Sequence, residues 1–443
     1  MKYTKEDIIR LCEEEDVEFV RLQFTDISGT LKNLAVTKSQ LEDALDGKFM
    51  FDGSSIEGYA RVEEADMFLQ PDFDTFAIFP WRPQQGKVAR LLCDVYTSEG
   101  KPYAGDVRQV LKGVINKAKE LGYVFDIGPE LEFFLFHLDE DGLPTNISHE
   151  QAGYFDIAPL DLGENARRDI ALTLEELGFE VMSSHHEIAP SQHEVDFKYD
   201  EPLKTADNIQ TFKMAVKTVA KRHGLHATFM PKPRAGVPGS GMHINVALYN
   251  DFGKDLFRNT DDENGLSKEA YHFIAGVMKH IKAITAITNP LVNSYKRLVP
   301  GFEAPISIAW SMASRSPLIR IPSSRNGATK IELRFPDPSA NPYMALAAIL
   351  SAGLKGIIDE EECPEKIEEN LNLLTEQELN ARGIDTLPPC LGDAVIELSK
   401  DEFVQKIMGE YIAEKYIDSK RKEFYEYRSA VSQWELDKYL ARV

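Results

Sequence analysis

The sequence predicts an α+β protein of two domains, a small N-terminal unit and a larger one built on a curved sheet. Three observations carry this. At 443 residues the chain exceeds one ordinary hydrophobic core. Short strands and helices fill the stretch up to about Asp106, and longer amphipathic helices begin at Val107. Four later strands each place acidic or imidazole side chains on one face, which points to one polar cavity inside a curved sheet.

In the first unit, Thr4 followed by Asp7 reads as a helix N-cap, with Ile8, Ile9 and Cys12 as the apolar stripe. Val17 to Phe24 alternates as a strand. Asp26-Ile27-Ser28-Gly29-Thr30 supplies turn chemistry, and Leu34-Ala35-Val36 returns as its partner. A helix is expected at about Ser39 to Leu45. Phe51 to Tyr59 reads as a surface loop of small and polar residues, or as one whose glycines let backbone approach a ligand. Phe73–Phe79 and Val88–Val95 add two strands.

In the second unit, Val110, Val114 and Ala118 share a helix face that ends near Gly122. Ile170, Leu174 and Leu177 form another stripe, and Ile209, Phe212, Val216 and Val219 a third. These stripes are core packing. The cluster Lys217, Lys221, Arg222 reads as a solvated helix face. Residues 345–356 and 393–443 read as helical. No internal repeat or low-complexity tract is present.

The chemistry gathers on four segments. Glu130 and Glu132 point to one side of a strand whose Leu131 and Phe133 point to a core. His185-His186-Glu187 precedes Gln192-His193-Glu194-Val195-Asp196. His243 and Asn245 share a face, as do Glu332 and Arg334. Paired carboxylates on a buried strand repel each other and lose solvation, which a divalent cation relieves; the alternative is an edge strand with a wet polar face. A donor set rich in carboxylate, with little imidazole and no cysteine, suits Mg²⁺ or Mn²⁺ better than zinc. Arg315, Arg320 and Arg325 follow closely. They read as sites for a polyanion or as ordinary partners for surface acid.

Composition narrows the function. A formal net charge of −22 repels nucleic acid and anionic membranes alike. The four cysteines, Cys12, Cys93, Cys363 and Cys390, form no CxxC pair, which points to a reducing compartment. The N-terminus has no apolar signal core and no run approaches a membrane span, so a cytoplasmic protein is expected.

Six segments, in order, resemble the glutamine synthetases of the bacterial type I class. They are FDGSSIEG at Phe51–Gly58, GPELEFF at Gly128–Phe134, SHHEIAPSQHEVDF at Ser184–Phe197, KPRAGVPGSGMH at Lys232–His243, NSYKRLVPGFEAP at Asn293–Pro305 and IELRFPDPSANPY at Ile331–Tyr343. The resemblance spans nearly the whole chain. It implies a β-grasp-like domain over residues 1–104 and, over 105–443, a catalytic domain whose curved antiparallel sheet is flanked by helices. It further implies a dodecamer of two stacked hexameric rings with sites between neighbouring subunits. The implied reaction is ATP-dependent ligation of ammonia to glutamate through a γ-glutamyl phosphate. A γ-glutamyl–polyamine ligase and a non-catalytic assembly protein are the rival readings.

By the same resemblance, Glu132, Glu187 and Glu194 match a metal site facing glutamate. Glu130, His243 and Glu332 match one facing ATP, with two to three Mg²⁺ or Mn²⁺ ions per site. Arg315 and Arg320 match phosphate-binding positions, and Asn245 is placed with them on the ATP side. Arg297, Arg334 and Gly239 match contacts to glutamate and the transferring phosphoryl group. Asp52 and Ser55, donated by the adjacent subunit, match the ammonium pocket, with Tyr154 beside it. Glu303 matches a flap that closes the site. Asp52, Glu303 and Arg315 are the implied catalytic groups.

The chain departs from the family pattern at three places. Pro238 stands where Asn is frequent, which removes a side-chain contact to glutamate, and Ala247 stands where Ser is frequent. Asn372 occupies the place of a modifiable tyrosine, so the chain resembles the feedback-inhibited branch that is not adenylylated. There the arginine matching Arg61 takes part in inhibition by glutamine, and the C-terminus can engage a nitrogen-regulatory repressor.

Overall fold

The structure is a computed structural model and describes residues 3–56, 66–81, 85–302, 304–323 and 327–443. A capping box opens the first helix, Lys5–Glu14: the Asp7 amide donates to Thr4 Oγ1 at 3.1 Å, and the Thr4 amide donates to Asp7 Oδ2 at 3.0 Å. Its Ile8 and Cys12 are buried. Five strands follow: β1 (Val17–Thr25), β2 (Leu31–Thr37), β3 (Met50–Asp52), β4 (Asp66–Ile78) and β5 (Lys87–Thr97). They pair in the order β2-β1-β5-β4-β3, with β1 parallel to β5 and the remaining pairs antiparallel. The β1–β2 turn needs Gly29 twice over. Its φ is +87°, and a Cβ there would come within 2.9 Å of Asn341 Cα in the second domain.

The larger sheet has nine strands: β6 (Tyr123–Leu138), β7 (Pro144–Ser148), β8 (Val181–His186), β9 (Gln192–Phe197), β10 (Leu225–Thr228), β11 (Met242–Asn250), β12 (Ser307–Ser311), β13 (Pro317–Arg320) and β14 (Ile331–Leu333). The order is β12-β13-β14-β11-β6-β9-β8, and β7 and β10 also pair with β6. The sheet is antiparallel apart from the β12–β13 pair. Sixteen residues make β6 far longer than an ordinary strand. Its first half pairs with β11 and its second with β10 and β7, so the sheet is built around it.

Alternation decides which face packs. Leu131, Phe133 and Leu135 of β6 are buried with Met242, Ile244 and Val246 of β11. Helices cover this face. Phe212 of the helix Pro202–Arg222 meets Phe133 at 6.2 Å, and Phe273 of the helix Lys268–Thr288 meets Phe125 at 6.1 Å. The helix Pro342–Asp359 is long and apolar enough to cross a membrane, yet 78% of it is buried inside the fold.

An ionic hub joins the small sheet to helices of the larger domain. Arg108 donates to Asp94 of β5 at 2.8 Å, to Asp72 of β4 at 2.7 Å and to Asp207 at 3.0 and 2.8 Å. Tyr343 also donates to Asp207, at 2.7 Å. Sequence patterning located four of the five strands of the small sheet but not all their extents, and it did not find β7, β10, β12 or β13. β4 begins at Asp66, well before Phe73. The segment expected as a loop from Phe51 opens with part of β3 and a 3₁₀ turn over Gly53–Ser55. A short helix, Ser294–Arg297, follows Asn289.

Candidate active site and metal centre

The ladder register brings the polar side chains together. Glu130 lies opposite His243 on one side and Asp196 on the other, and Glu132 lies opposite Glu194. Glu332 lies opposite both Asn245 and Arg320, and His185 opposite Glu194. With a period of two, this row shares the sheet face that the helices leave uncovered. It lines a cavity of about 430 Å³.

One group forms around Glu130. His243 Nδ1 is 3.1 Å from one carboxylate oxygen, and Asn245 Nδ2 donates to the other at 2.9 Å. Burial pushes this carboxyl up, but the His243 contact and the Asn245 hydrogen bond outweigh it and hold the group down at about 2. Glu332 accepts from Arg320 Nη1 at 2.7 Å and from Arg334 Nη1 at 2.6 Å, and lies 3.8 Å from His243 Nδ1. Glu130, His243 and Glu332 each offer a ligand atom, all within 4.8 Å of one another.

A second group of the same size contains His185, Glu187 and Glu194. His185 Nε2 is 2.8 Å from Glu187 and 3.7 Å from Glu194. Glu132 lines the same cavity, where one of its oxygens accepts from the Gly241 amide at 2.7 Å and from Gln192 Nε2 at 2.9 Å. Burial raises the Glu132 carboxyl. It raises Glu194 well above its ordinary value, with Asp196 and Glu132 adding to the effect. Carboxylates crowded in this way are a poor place for bare charge and a good one for a hard divalent cation. The donor chemistry therefore fits such an ion.

Cations face these acids. Arg297 is buried and held by backbone alone, donating to the carbonyls of Phe335 at 2.9 Å, Pro336 at 3.3 Å and Arg334 at 3.1 Å. Its guanidinium is fixed in place without consuming a carboxylate. Arg315, Arg320 and Arg334 line the same cavity, as do Pro238 and Gly239. Gly239 admits no side chain, since a Cβ would lie 2.1 Å from the Pro231 carbonyl oxygen. Tyr154 stacks on Phe155 at 4.3 Å and meets His185 edge-on at 5.7 Å.

Thirteen of the residues expected at the site thus share one cavity: Glu130, Glu132, Tyr154, Glu187, Glu194, Gly239, His243, Asn245, Arg297, Arg315, Arg320, Glu332 and Arg334. Asp52 and Ser55 do not line it. Asp52 ends β3, where hydrogen bonds from Ser54 and Ser55 hold its carboxyl low. Glu303 and Arg61, like Arg325, lie outside the described residues. Sequence reasoning placed His185, Gln192 and Asp196 in a segment that carries chemistry but gave them no role. The signal was there, because Gln192, Glu194 and Asp196 alternate on β9.

Behind this face Asp161, His186 and His193 also cluster at ligand distance. That cluster holds a cation of its own: Arg167 Nη1 donates to Asp161 at 2.7 Å and lies 2.9 Å from His193 Nδ1.

Hard-cation donors set against fixed guanidinium groups suit an enzyme that moves a phosphoryl group between anions. Comparison with known proteins narrows the class. Residues 104–439 match the glutamine synthetase catalytic domain, and residues 16–98 match the glutamine synthetase beta-Grasp domain. The chain is 57% identical over 439 residues to a glutamine synthetase of Clostridium saccharobutylicum, covering 99% of both. It is 56% identical over 440 residues to one of Staphylococcus aureus, covering 99% of this chain and 98% of that one. Among solved structures, a GmaS–ADP complex superposes with a TM-score of 0.90 at 33% identity, over 98% of this chain and 99% of that one. The Plasmodium falciparum glutamine synthetase superposes at 0.88 with 27% identity, over 99% of each. The chain belongs to the glutamine synthetase family.

Proposed function

We propose that this chain is a glutamate–ammonia ligase that forms glutamine at the expense of ATP through a γ-glutamyl phosphate. The observation that carries the reading is the convergence of both acid–imidazole groups and four arginines on one cavity. A carboxylate resists attack by ammonia because oxide is a poor leaving group, so the side-chain carboxylate of glutamate first takes the γ-phosphoryl of ATP. Divalent ions supply charge neutralisation for that transfer when bound. Arg315 and Arg320 hold the nucleotide phosphates, while Arg334 and Arg297 orient the acceptor carboxylate and the phosphoryl group. Gly239 leaves room for glutamate against backbone. Ammonia then attacks the acyl carbon and phosphate departs.

Glu132, Glu187 and Glu194 are assigned to the ion beside glutamate, and Glu130, His243 and Glu332 to the one beside ATP. The ions are Mg²⁺ or Mn²⁺, two to three per site. Asp52 and Ser55 lie outside the cavity of their own chain, which supports their donation to a neighbour's site in a ring assembly of twelve. There Asp52, with Glu303, would attract ammonium and take its proton. The division between domains is placed after residue 104, supported by the end of β5 at Thr97 and the start of the next helix at Val107. A cytoplasmic setting is supported by four cysteines that are all free. Glutamine feedback through Arg61 and contact with a repressor follow from the branch that Asn372 suggests.

A coupled assay tests the reading. Glutamine and ADP should appear only with glutamate, ATP, ammonium and Mg²⁺ or Mn²⁺ together, and Glu132→Ala should abolish turnover. Unchanged turnover in Glu132→Ala rejects the metal assignment. A polyamine that outcompetes ammonium rejects the substrate, and the absence of phosphate release with any amine rejects the enzyme.

A further inference from the structure

A second large cavity, about 630 Å³, lies between the two domains and away from the site above. Arg21 and Lys32 enter it from the small sheet, and Lys213 and Lys217 from the helix Pro202–Arg222. Four cations in one cleft are notable in a chain with 72 acidic and 50 basic residues. Lys217 lies on the solvated face expected for it with Lys221 and Arg222, and it also lines this cleft.

The two lysines are one helical turn apart on one face. Among the described residues neither has a carboxylate at ion-pairing distance. Lys213 Nζ donates to the Ala340 carbonyl at 3.2 Å, and Lys217 Nζ stands 5.8 Å over the Phe229 ring. Burial, and then Lys217, depress the Lys213 ammonium to about 7. Lys32 has only a distant partner, Asp26 at 3.6 Å. Gln23, Asn33 and Gln210 add amide groups to the walls. Two lysines held one turn apart, with Asp337 only a remote counter-charge to Lys213, are stabilised by an anion that spans them.

The cleft is also connected to the active site by backbone. Phe229 and Met230 form one wall. The next residue, Pro231, accepts from the Ser240 amide at 2.9 Å and is the group that excludes a Cβ from Gly239. Lys232 is tied to Asn293 in both directions, at 2.8 and 3.1 Å.

We propose that this interdomain cleft binds a compact organic polyanion, a dicarboxylate or a phosphate monoester, and that its occupancy is transmitted through Pro231 to the place where glutamate binds. This rests on the proposed function only for its kinetic readout; the binding test stands without it.

Calorimetry on the full chain, with saturating Mg²⁺–ADP filling the catalytic cavity, decides the binding. The probes are inorganic phosphate, glycerol phosphate and succinate, with acetate as the monoanion control. At least one dianion is expected to bind in preference to acetate, about tenfold or more weaker in Lys217→Glu and unchanged in Arg320→Gln. The glycerol phosphate and succinate arms tell the two ligand sources apart. Lys217 is exposed, so its variant keeps the test valid even where the partly buried Lys213→Met does not fold. Absence of dianion binding, equal binding of acetate, or binding lost in Arg320→Gln but kept in Lys217→Glu overturns the site. An unchanged KM for glutamate at saturating dianion overturns the transmission.

Discussion

Glu332 is contested between two kinds of cation, and Arg320→Gln measures the contest. Glu332 accepts from Arg320 at 2.7 Å and from Arg334 at 2.6 Å, with both partners largely shielded from water. A hydrogen bond between charged groups contributes about 1.5–3 kcal/mol net. A divalent ion that needs Glu332 must displace or share those bonds. Deleting the Arg320 arm removes one competitor and one nearby positive charge. Mn²⁺ affinity of the nucleotide-free protein should therefore rise by about 10- to 100-fold, the equivalent of that one bond. Calorimetric Mn²⁺ titration reads this directly. Lys400→Gln, which breaks an exposed pair with Glu397, should shift nothing and serves as the control. Mn²⁺ affinity that stays constant or falls in Arg320→Gln refutes the argument.

Three further outcomes follow from other parts of the molecule. Arg108→Met strands Asp72, Asp94 and Asp207 without their shared cation and should cost about 3–5 kcal/mol, seen as an early first transition in urea; a cost under about 1 kcal/mol would show that the hub is solvated. Burial, and then Asp94, push the Asp106 carboxyl from its ordinary 3.8 up to about 7. The folded state thus holds this proton more tightly than the unfolded chain. Its contribution to stability is full below about pH 4 and is lost as pH rises through about 7, at about 1.4 kcal/mol per unit of separation; Asp106→Asn should flatten that part of the stability–pH curve. Gly239→Ala forces the Pro231 carbonyl away from its 2.1 Å clash and should raise the KM for glutamate about tenfold or more, with Mn²⁺ binding unchanged.

The site was legible in the sequence where chemistry follows strand alternation. Glu130 with Glu132, His243 with Asn245, and Glu332 with Arg334 were paired by the period of two, and the ladder placed each pair in one cavity. What alternation cannot give is which strand lies beside which. The pairing of β6 with four different strands is set by chain contacts far apart in sequence. His185 was named without a role for that reason, since only its register opposite Glu194 shows where it points. The solvated face read for Lys217, Lys221 and Arg222 is borne out, but that Lys217 also lines a cleft shows only once the first domain is placed beside it. Arg297 carried no local signal either. Three backbone carbonyls hold it, and these come from residues 334–336.

The arginine pair on Glu332 ties nucleotide and cation together under the proposed function. If Arg320 serves the phosphates of ATP, it cannot serve Glu332 equally well at the same time. A nucleotide that draws Arg320 away leaves Glu332 freer for an ion, and an ion on Glu332 leaves Arg320 freer for phosphate. Linkage makes the two effects equal. Arg297 stands outside this exchange, because its bonds are to backbone and nothing in the cavity competes for them. The cavity thus contains one guanidinium fixed before substrate arrives and others that must change partner as it does. Mn²⁺ and ADP should accordingly tighten each other's binding in the wild type, and Arg320→Gln should abolish most of that coupling. Equal coupling in both proteins would mean that the exchange of partners at Glu332 does not occur.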